Sequence, residues 1–213
     1  MAVSIRITEK SDSVRHLSSV DGKMKSLIRS IGAIEYHCDF DSYEFLVKTI
    51  IGQMLSNKAA DVITQRFEKI CGGVVTPQAV SGLSVADLRG VGLSNSKAGF
   101  ILQLTENVLS EKLNFSIFEA MSDAEVLKAL TALNGIGPWS AKMYLIFMLC
   151  REDVLPYEDG AFLQAYSWLY PMVGQKPSEI AAACAHWRPY SSIAARYLYK
   201  ALDMGMTKGL PPE

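Results

Sequence analysis

Apolar residues recur at helical spacing along most of the chain, and polar residues gather in short clusters between these runs. Between Ser42 and Cys71, Phe45, Leu46 and Ile50, followed by Ala59, Val62, Ile63 and Phe67, outline an apolar face. The segment Gly52-Gln53-Met54-Leu55-Ser56-Asn57 interrupts it, which predicts two helices with a break, Ser56 capping the second. Thr76-Pro77 predicts a helix start, because the hydroxyl caps and proline lacks only an N–H that the first turn leaves unpaired. Ser84 to Asp87 predicts another. Ser122 to Glu125 has the capping-box pattern, and Leu127 and Leu130 carry that helix inward. Further helices are predicted from about Ser140 to Cys150, Gly160 to Leu169, Ser178 to Trp187 and Ser192 to Met204. The only strand-like alternation is Val3, Ile5, Ile7. Connections are short and no low-complexity segment intervenes. The expectation is an all-α fold.

One segment resembles another within the chain. Leu88-Arg-Gly90-Val-Gly92 leading to Lys97 aligns with Leu133-Asn-Gly135-Ile-Gly137 leading to Lys142. Both are predicted to be helix–turn–helix hairpins, and the residues leave common ancestry open. In the second hairpin the glycines permit positive φ and close backbone approach. Ile136 is expected to tuck into the helix pair. Backbone N–H groups at Gly137 and its neighbours are expected to face outward at a helix N-terminus, with Pro138 in the first turn. Such a terminus suits phosphate through its free donors and the helix dipole. Gly-Ile-Gly between helices is equally the mark of a tight turn.

Composition narrows the classes. A chain of 213 residues fits one large domain or two small ones sharing a cleft. With 49% hydrophobic residues it can bury a sizeable core. A net charge of −1 argues against a generic polybasic nucleic-acid binder, though not against a protein that grips a few phosphates locally. No apolar run approaches the roughly eighteen residues of a membrane span, and the N-terminus lacks an apolar leader core, so the expectation is a soluble intracellular protein. Cys38, Cys71, Cys150 and Cys184 are scattered without metal-ligand spacing; Cys150 and Cys184, in apolar helical stretches, read as buried thiols. His16, His37 and His186 are isolated.

Residues 133–166, starting Leu-Asn-Gly-Ile-Gly-Pro-Trp and containing Tyr157-Glu158-Asp159-Gly160, closely resemble the helix–hairpin–helix DNA glycosylase superfamily, in particular its 3-methyladenine (alkylpurine) branch. Three more stretches share the likeness: Ile50 to Ser56, Gly92 to Ala98 and Trp187 to Tyr199. It spans roughly residues 20–205. It implies two helical subdomains flanking a cleft, about 38–150 with the hairpin at 133–142, and 1–37 plus 151–213. It also implies a catalytic aspartate about twenty residues after the hairpin; Asp159 follows Gly137 by 22. Asp159 is also a natural helix N-cap, and both roles can hold. Asp153 and Glu158 are out of register with the family's aspartate, and Glu158 is expected to be solvated.

The likeness further implies a base pocket from Trp139, Met143 and Tyr199, the last in place of a more usual tryptophan, with Tyr43 and Phe40 as further candidates; core packing is the alternative for each. Expected DNA contacts are Gly135, Ile136, Gly137, Ser140, Lys142, Gln53, Met54, Ser56 and Lys97. Met54 is the candidate wedge that fills the gap left by a flipped base, or else a core methionine. Lyases of the superfamily carry a nucleophilic lysine where Trp139 stands. Lys142 is three residues further and is expected to face phosphate or solvent, so water is the expected nucleophile and no strand nick follows. No cofactor is expected to be required, although the carbonyls of Thr131, Leu133 and Ile136 match positions that hold Na⁺ or K⁺ in similar proteins. The implied protein is a monomer acting on double-stranded DNA with a damaged base, in a prokaryotic cytoplasm at the nucleoid or in a nucleus, with no membrane partner. Two alternatives are a sister glycosylase for oxidised, deaminated or mismatched bases and a non-catalytic DNA-binding module.

Overall fold

The computed structural model describes residues 4–38, 41–171 and 176–212. They form two units: Phe40–Tyr144 is continuous, and Met1–Asp39 combines with Leu145–Glu213. Among the described residues the fold is all-α apart from one two-stranded antiparallel sheet, whose strands are separated in sequence by two helices.

The continuous unit holds α3 (Ser42–Gly52), α4 (Asn57–Ile70), α5 (Pro77–Ser81), α6 (Val85–Gly90), α7 (Asn95–Leu109), α8 (Asp123–Thr131) and α9 (Pro138–Met143). The discontinuous unit holds β1 (Ser4–Ile7), α1 (Asp12–Val20), α2 (Gly22–Ile31), β2 (Ile34–His37), α10 (Gly160–Leu169), α11 (Pro177–Ala183) and α12 (Ser191–Asp203). The predicted starts are where the side chains place them. Ser56 accepts from the Ala59 N–H, and Thr76 from the Ala79 N–H ahead of Pro77. Ser84 with Asp87 and Ser122 with Glu125 form reciprocal capping boxes. The α4 face is shallower than its periodicity implies: Phe67 is fully buried, whereas Val62 is 40% exposed.

Two predicted helices are divided. The segment expected from Ser140 to Cys150 is α9 followed by a π-helical turn, Tyr144–Met148. The segment expected from Ser178 to Trp187 is α11 followed by a 3-10 turn, Ala185–Trp187. Of the N-terminal alternation, Ile5 and Ile7 lie in a strand, β1, which pairs antiparallel with β2 in the register Ser4↔His37 to Ile7↔Ile34, and Val3 lies outside the described residues. Four residues of β2 are too few for alternation to stand out.

In the discontinuous unit Leu17, Met24, Leu27, Phe162, Leu169 and Trp187 share one core. Asp21, 8% exposed, anchors it. Its carboxylate caps α2 through the Met24 N–H at 2.9 Å and accepts from the Tyr170 hydroxyl at 2.6 Å, Trp187 Nε1 at 2.9 Å and His186 Nε2 at 3.0 Å. Burial raises its pKa, but these hydrogen bonds outweigh it and leave the carboxyl below its ordinary value.

Cys150 is not a buried thiol. It forms a disulfide with Cys38, their Cα atoms 6.1 Å apart. The two cysteines are 112 positions apart in sequence, and neither neighbourhood marks the pairing. Cys71 and Cys184 are free and buried. Among the described residues no helix is long and apolar enough to cross a membrane.

Candidate functional site

The turn between α8 and α9 is built on Gly135. Its φ is +82°, and a Cβ there would lie 2.9 Å from Phe100 Cβ and closer still to the ring. Both the backbone conformation and the neighbouring side chain therefore require glycine. The Leu133 N–H donates to Leu130 O and the Ile136 N–H to Leu133 O, closing the turn. Ile136 is 5% exposed and packs inward as expected. Gly137 differs: its φ is −93°, and no atom lies within 4 Å of a Cβ built on it. Neither strain nor internal packing demands glycine there. Gly137 caps α9 without a side chain, and Pro138 follows in the first turn. The result is a helix start with open space above its backbone, the physical requirement for a phosphate site.

The internal sequence repeat does not reproduce this turn. In the earlier segment α6 runs through Gly90, and the positive φ of +112° falls on Gly92, the second glycine. In the later one it falls on the first, Gly135. Matching letters thus join their helices through different turns.

A chain of long-range hydrogen bonds fixes the hairpin to the break after α3. Gln53 Nε2 donates to Gly135 O at 2.8 Å and to Ser140 Oγ at 3.2 Å. Lys97 Nζ donates to Ile51 O at 2.9 Å and Gln53 O at 2.7 Å. These two side chains, expected on DNA, instead direct their donors at protein acceptors. Lys97 acts as a cap on the carbonyl end of α3, where a cation is favoured. The next residue, Met54, has φ +58° and is fully exposed at 101%, which rules out the core alternative. Ser56 is exposed, with its hydroxyl on the Ala59 N–H.

Two other expected DNA contacts turn inward. Ser140 is 1% exposed and Lys142 9%. Lys142 does not stand in solvent because residues 140–146 are buried without interruption. Tyr43 is likewise no pocket residue: it is 2% exposed, and its hydroxyl shares a 2.7 Å hydrogen bond with Thr105 inside the core. Trp139 is half-buried and Met143 is buried, both on the hairpin's second helix segment. Phe40 lies outside the described residues.

Asp159 lies in the other unit, at the N-cap of α10 and 9% exposed. Its Oδ1 accepts from the Phe162 N–H at 2.7 Å, so the capping role is real and fixes the carboxylate's orientation. The loop leading to it is latched to the start of α12. Asp153 accepts from Arg188 Nε at 2.8 Å and Ser191 Oγ at 2.6 Å, and Ser192 Oγ bonds both the Val154 N–H and its carbonyl. Glu158 is exposed, as expected.

Tyr199, on α12, is brought to Asp159. Its hydroxyl is buried with no partner at normal hydrogen-bond distance among the described residues. Burial first, and then the nearby Asp159 carboxylate, push its pKa far up, so it stays a neutral donor. Sequence reasoning missed its neighbours. Arg196 places its guanidinium 3.6 Å from the centre of the Tyr36 ring and 4.9 Å from that of Phe147. An arginine within the apolar run Ala194 to Leu198 was the available signal. Among the described residues no group of three His, Cys, Asp or Glu side chains is placed to hold a metal.

Known proteins resemble this chain in sequence and fold. The family model described as HhH-GPD superfamily base excision DNA repair protein matches residues 47–189. DNA-3-methyladenine glycosylase 1 of Schizosaccharomyces pombe is 30% identical over 212 residues, spanning 93% of this chain and 90% of that protein. A crystal structure of DNA-3-methyladenine glycosidase from Bacillus halodurans superposes with a TM-score of 0.84 at 29% identity, covering 98% of this chain and 96% of that one. The Schizosaccharomyces pombe 3-methyladenine DNA glycosylase in complex with abasic DNA gives a TM-score of 0.80 at 27% identity, covering 91% and 97%. With a family model covering most of its length and relatives matched nearly end to end, this chain belongs to the HhH-GPD superfamily of base excision DNA repair proteins.

Proposed function

We propose that this chain is a monofunctional DNA glycosylase that hydrolyses the N-glycosidic bond of alkylated purines flipped out of duplex DNA. The observation that carries the reading is Asp159, a carboxylate held at a helix start by the Phe162 N–H; the resemblance puts the family's catalytic aspartate at this position. As the bond to the base breaks, positive charge builds on the sugar ring. A fixed carboxylate stabilises that charge and takes a proton from the attacking water. The open backbone above Gly137 grips a phosphate without reading sequence, which suits a chain of net charge −1. Met54, projecting and apolar, fills the space the base vacates.

Trp139 stands where a lyase has its lysine, so the product is an intact strand with an abasic site. The partner is double-stranded DNA carrying a damaged base, bound by a monomer at the nucleoid or in the nucleus. The carbonyls of Thr131, Leu133 and Ile136 are oxygen donors suited to Na⁺ or K⁺; Leu133 O already accepts one N–H and retains a lone pair.

Asp159→Asn tests the mechanism. Asparagine still caps α10, so melting should stay near wild type, while release of methylated purines should fall roughly 10²–10⁴-fold. Release at the wild-type rate would sink the assignment. Borohydride should leave wild-type protein uncrosslinked to DNA, and a trapped imine would refute the monofunctional reading.

A further inference from the structure

The Cys38–Cys150 disulfide closes a covalent loop that contains the whole of the continuous unit, Phe40–Tyr144. Cys38 follows the last residue of β2, and Cys150 opens the segment that ends on Asp159. Both cysteines are half-buried, so a small thiol can reach the bridge. Cys150 also has a φ of +49°, in the left-handed region that a β-carbon disfavours.

The two sulfurs are not equivalent. Arg196, only 9% exposed, donates from Nη2 to Ile146 O at 2.6 Å, and the same atom lies 4.0 Å from Cys150 Sγ. Among the described residues no cation makes such a contact with Cys38 Sγ. No carboxylate pairs with the guanidinium there either; it stacks on the Tyr36 ring at 3.6 Å and the Phe147 ring at 4.9 Å. A buried cation without an anion lacks charge compensation, and a thiolate at Cys150 would supply it. We propose that Cys38–Cys150 is a thiol-exchange site with a fixed direction: a low-molecular-weight thiol such as glutathione attacks Cys38, and Cys150 departs as a thiolate held by Arg196.

The exchange balances in two steps. The incoming thiolate forms a bond to Cys38 Sγ while the Sγ–Sγ bond breaks, and that electron pair stays on Cys150 Sγ. A second thiolate then attacks the first thiol's sulfur and releases Cys38, which takes a proton from water. Two thiols become one external disulfide, and the bridge gains two electrons. Exchange is faster when the departing sulfur is the better stabilised anion, which selects Cys150. In reverse, Cys150 is the thiolate that displaces the small thiol from Cys38 and recloses the bridge. Other ionisable groups nearby do not undo this preference. His37 beside Cys38, and Glu35, Glu152, Lys200 and Asp203 around Tyr36 and Arg196, are exposed, where water and salt screen their charge. Tyr36 and Tyr199 are neutral, since burial raises both above the ordinary tyrosine value. Arg151, next to Cys150 in sequence, adds positive charge to the same segment.

Peptide mass spectrometry reads the direction, on oxidised wild type given a brief pulse of glutathione and quenched with acid. Glutathione should be found on Cys38 at least about tenfold more often than on Cys150. An equal or reversed distribution overturns the proposal. So does a bridge that glutathione leaves intact, and so do free thiols at both positions in protein purified without reductant. A second measurement works without the bridge. In Cys38→Ser, the reaction of Cys150 with iodoacetamide should keep, at about pH 6, a share of its rate at about pH 9 that is roughly tenfold larger than the share Cys38 keeps in Cys150→Ser. Taking each share within one protein cancels differences in access, and equal shares overturn the proposal. Adding Arg196→Leu to Cys38→Ser should remove the advantage, and an advantage that persists overturns Arg196 as its source. If that double variant does not fold, the glutathione distribution and the two single variants decide.

Discussion

Alanine placed at the two hairpin glycines should give opposite phenotypes. At Gly135 two costs combine. A left-handed φ of +82° costs a non-glycine residue roughly 1–2 kcal/mol. The new Cβ would also sit within 3 Å of Phe100 Cβ and its ring, and overpacking of this kind costs roughly 1–3 kcal/mol. The sum is about 2–5 kcal/mol, which lowers the melting temperature of a chain this size by roughly 5–15 °C. Phe100→Ala removes the ring but keeps the Cβ at 2.9 Å, so it should relieve only the ring's share of the steric part. A double-mutant cycle on Gly135→Ala and Phe100→Ala should therefore show coupling of no more than about 1–3 kcal/mol, with the φ cost remaining. At Gly137, where φ is −93° and a Cβ meets nothing within 4 Å, alanine should melt within about 2 °C of wild type. Its methyl group would instead intrude where a phosphate approaches, so DNA affinity should fall several-fold. Thermal melts and fluorescence anisotropy on an abasic-site duplex read the two effects separately. If Gly135→Ala melts like wild type, the steric argument is wrong. If Gly137→Ala binds DNA like wild type, the phosphate does not approach that backbone.

Three further outcomes follow from single contacts. Lys97→Met removes the cap on the carbonyls of Ile51 and Gln53 and should cost about 1–3 kcal/mol; the slope of log affinity against log salt should not change, whereas loss of a phosphate ligand would lower it by about 1. Reducing the Cys38–Cys150 disulfide should destabilise the chain by about 2–4 kcal/mol in thermal melts, Cys38→Ser should be insensitive to reductant, and equal melting of wild type with and without reductant would contradict this. Asp21 has a folded pKa below its ordinary value of 3.8, so its contribution is present above about pH 4 and is lost as pH falls through the lower folded value. Asp21→Asn should be less stable at neutral pH and lose less stability on acidification, and parallel acid-unfolding curves for the two proteins would remove Asp21 from that dependence.

What was legible in the sequence was local. Ser56, Thr76, Ser84, Ser122 and Asp159 bond backbone N–H groups within three residues, so their helix starts are encoded in adjacent letters. Periodicity also located most buried faces. The acceptors of a long side chain were not legible. Lys97 and Gln53 both find carbonyl oxygens distant in sequence, which no residue type announces. The same holds for Tyr43 on Thr105 and for the inward turn of Lys142. Paired glycines proved ambiguous because a motif specifies where glycine is permitted, not which of the two adopts the left-handed conformation.

The way the chain divides bears on its synthesis. Phe40–Tyr144 is contiguous, so its core can close as soon as its last helix leaves the ribosome. The first 39 residues cannot do the same, because Leu17, Met24 and Leu27 are covered by Phe162, Leu169 and Leu198 from the far end of the chain. At ~5–20 residues per second those apolar side chains stay uncovered for roughly ten to thirty seconds. During that interval the nascent protein is a finished helical unit trailing a sticky N-terminal arm, the stage at which a chaperone would engage it and at which over-expression would drive it into aggregates.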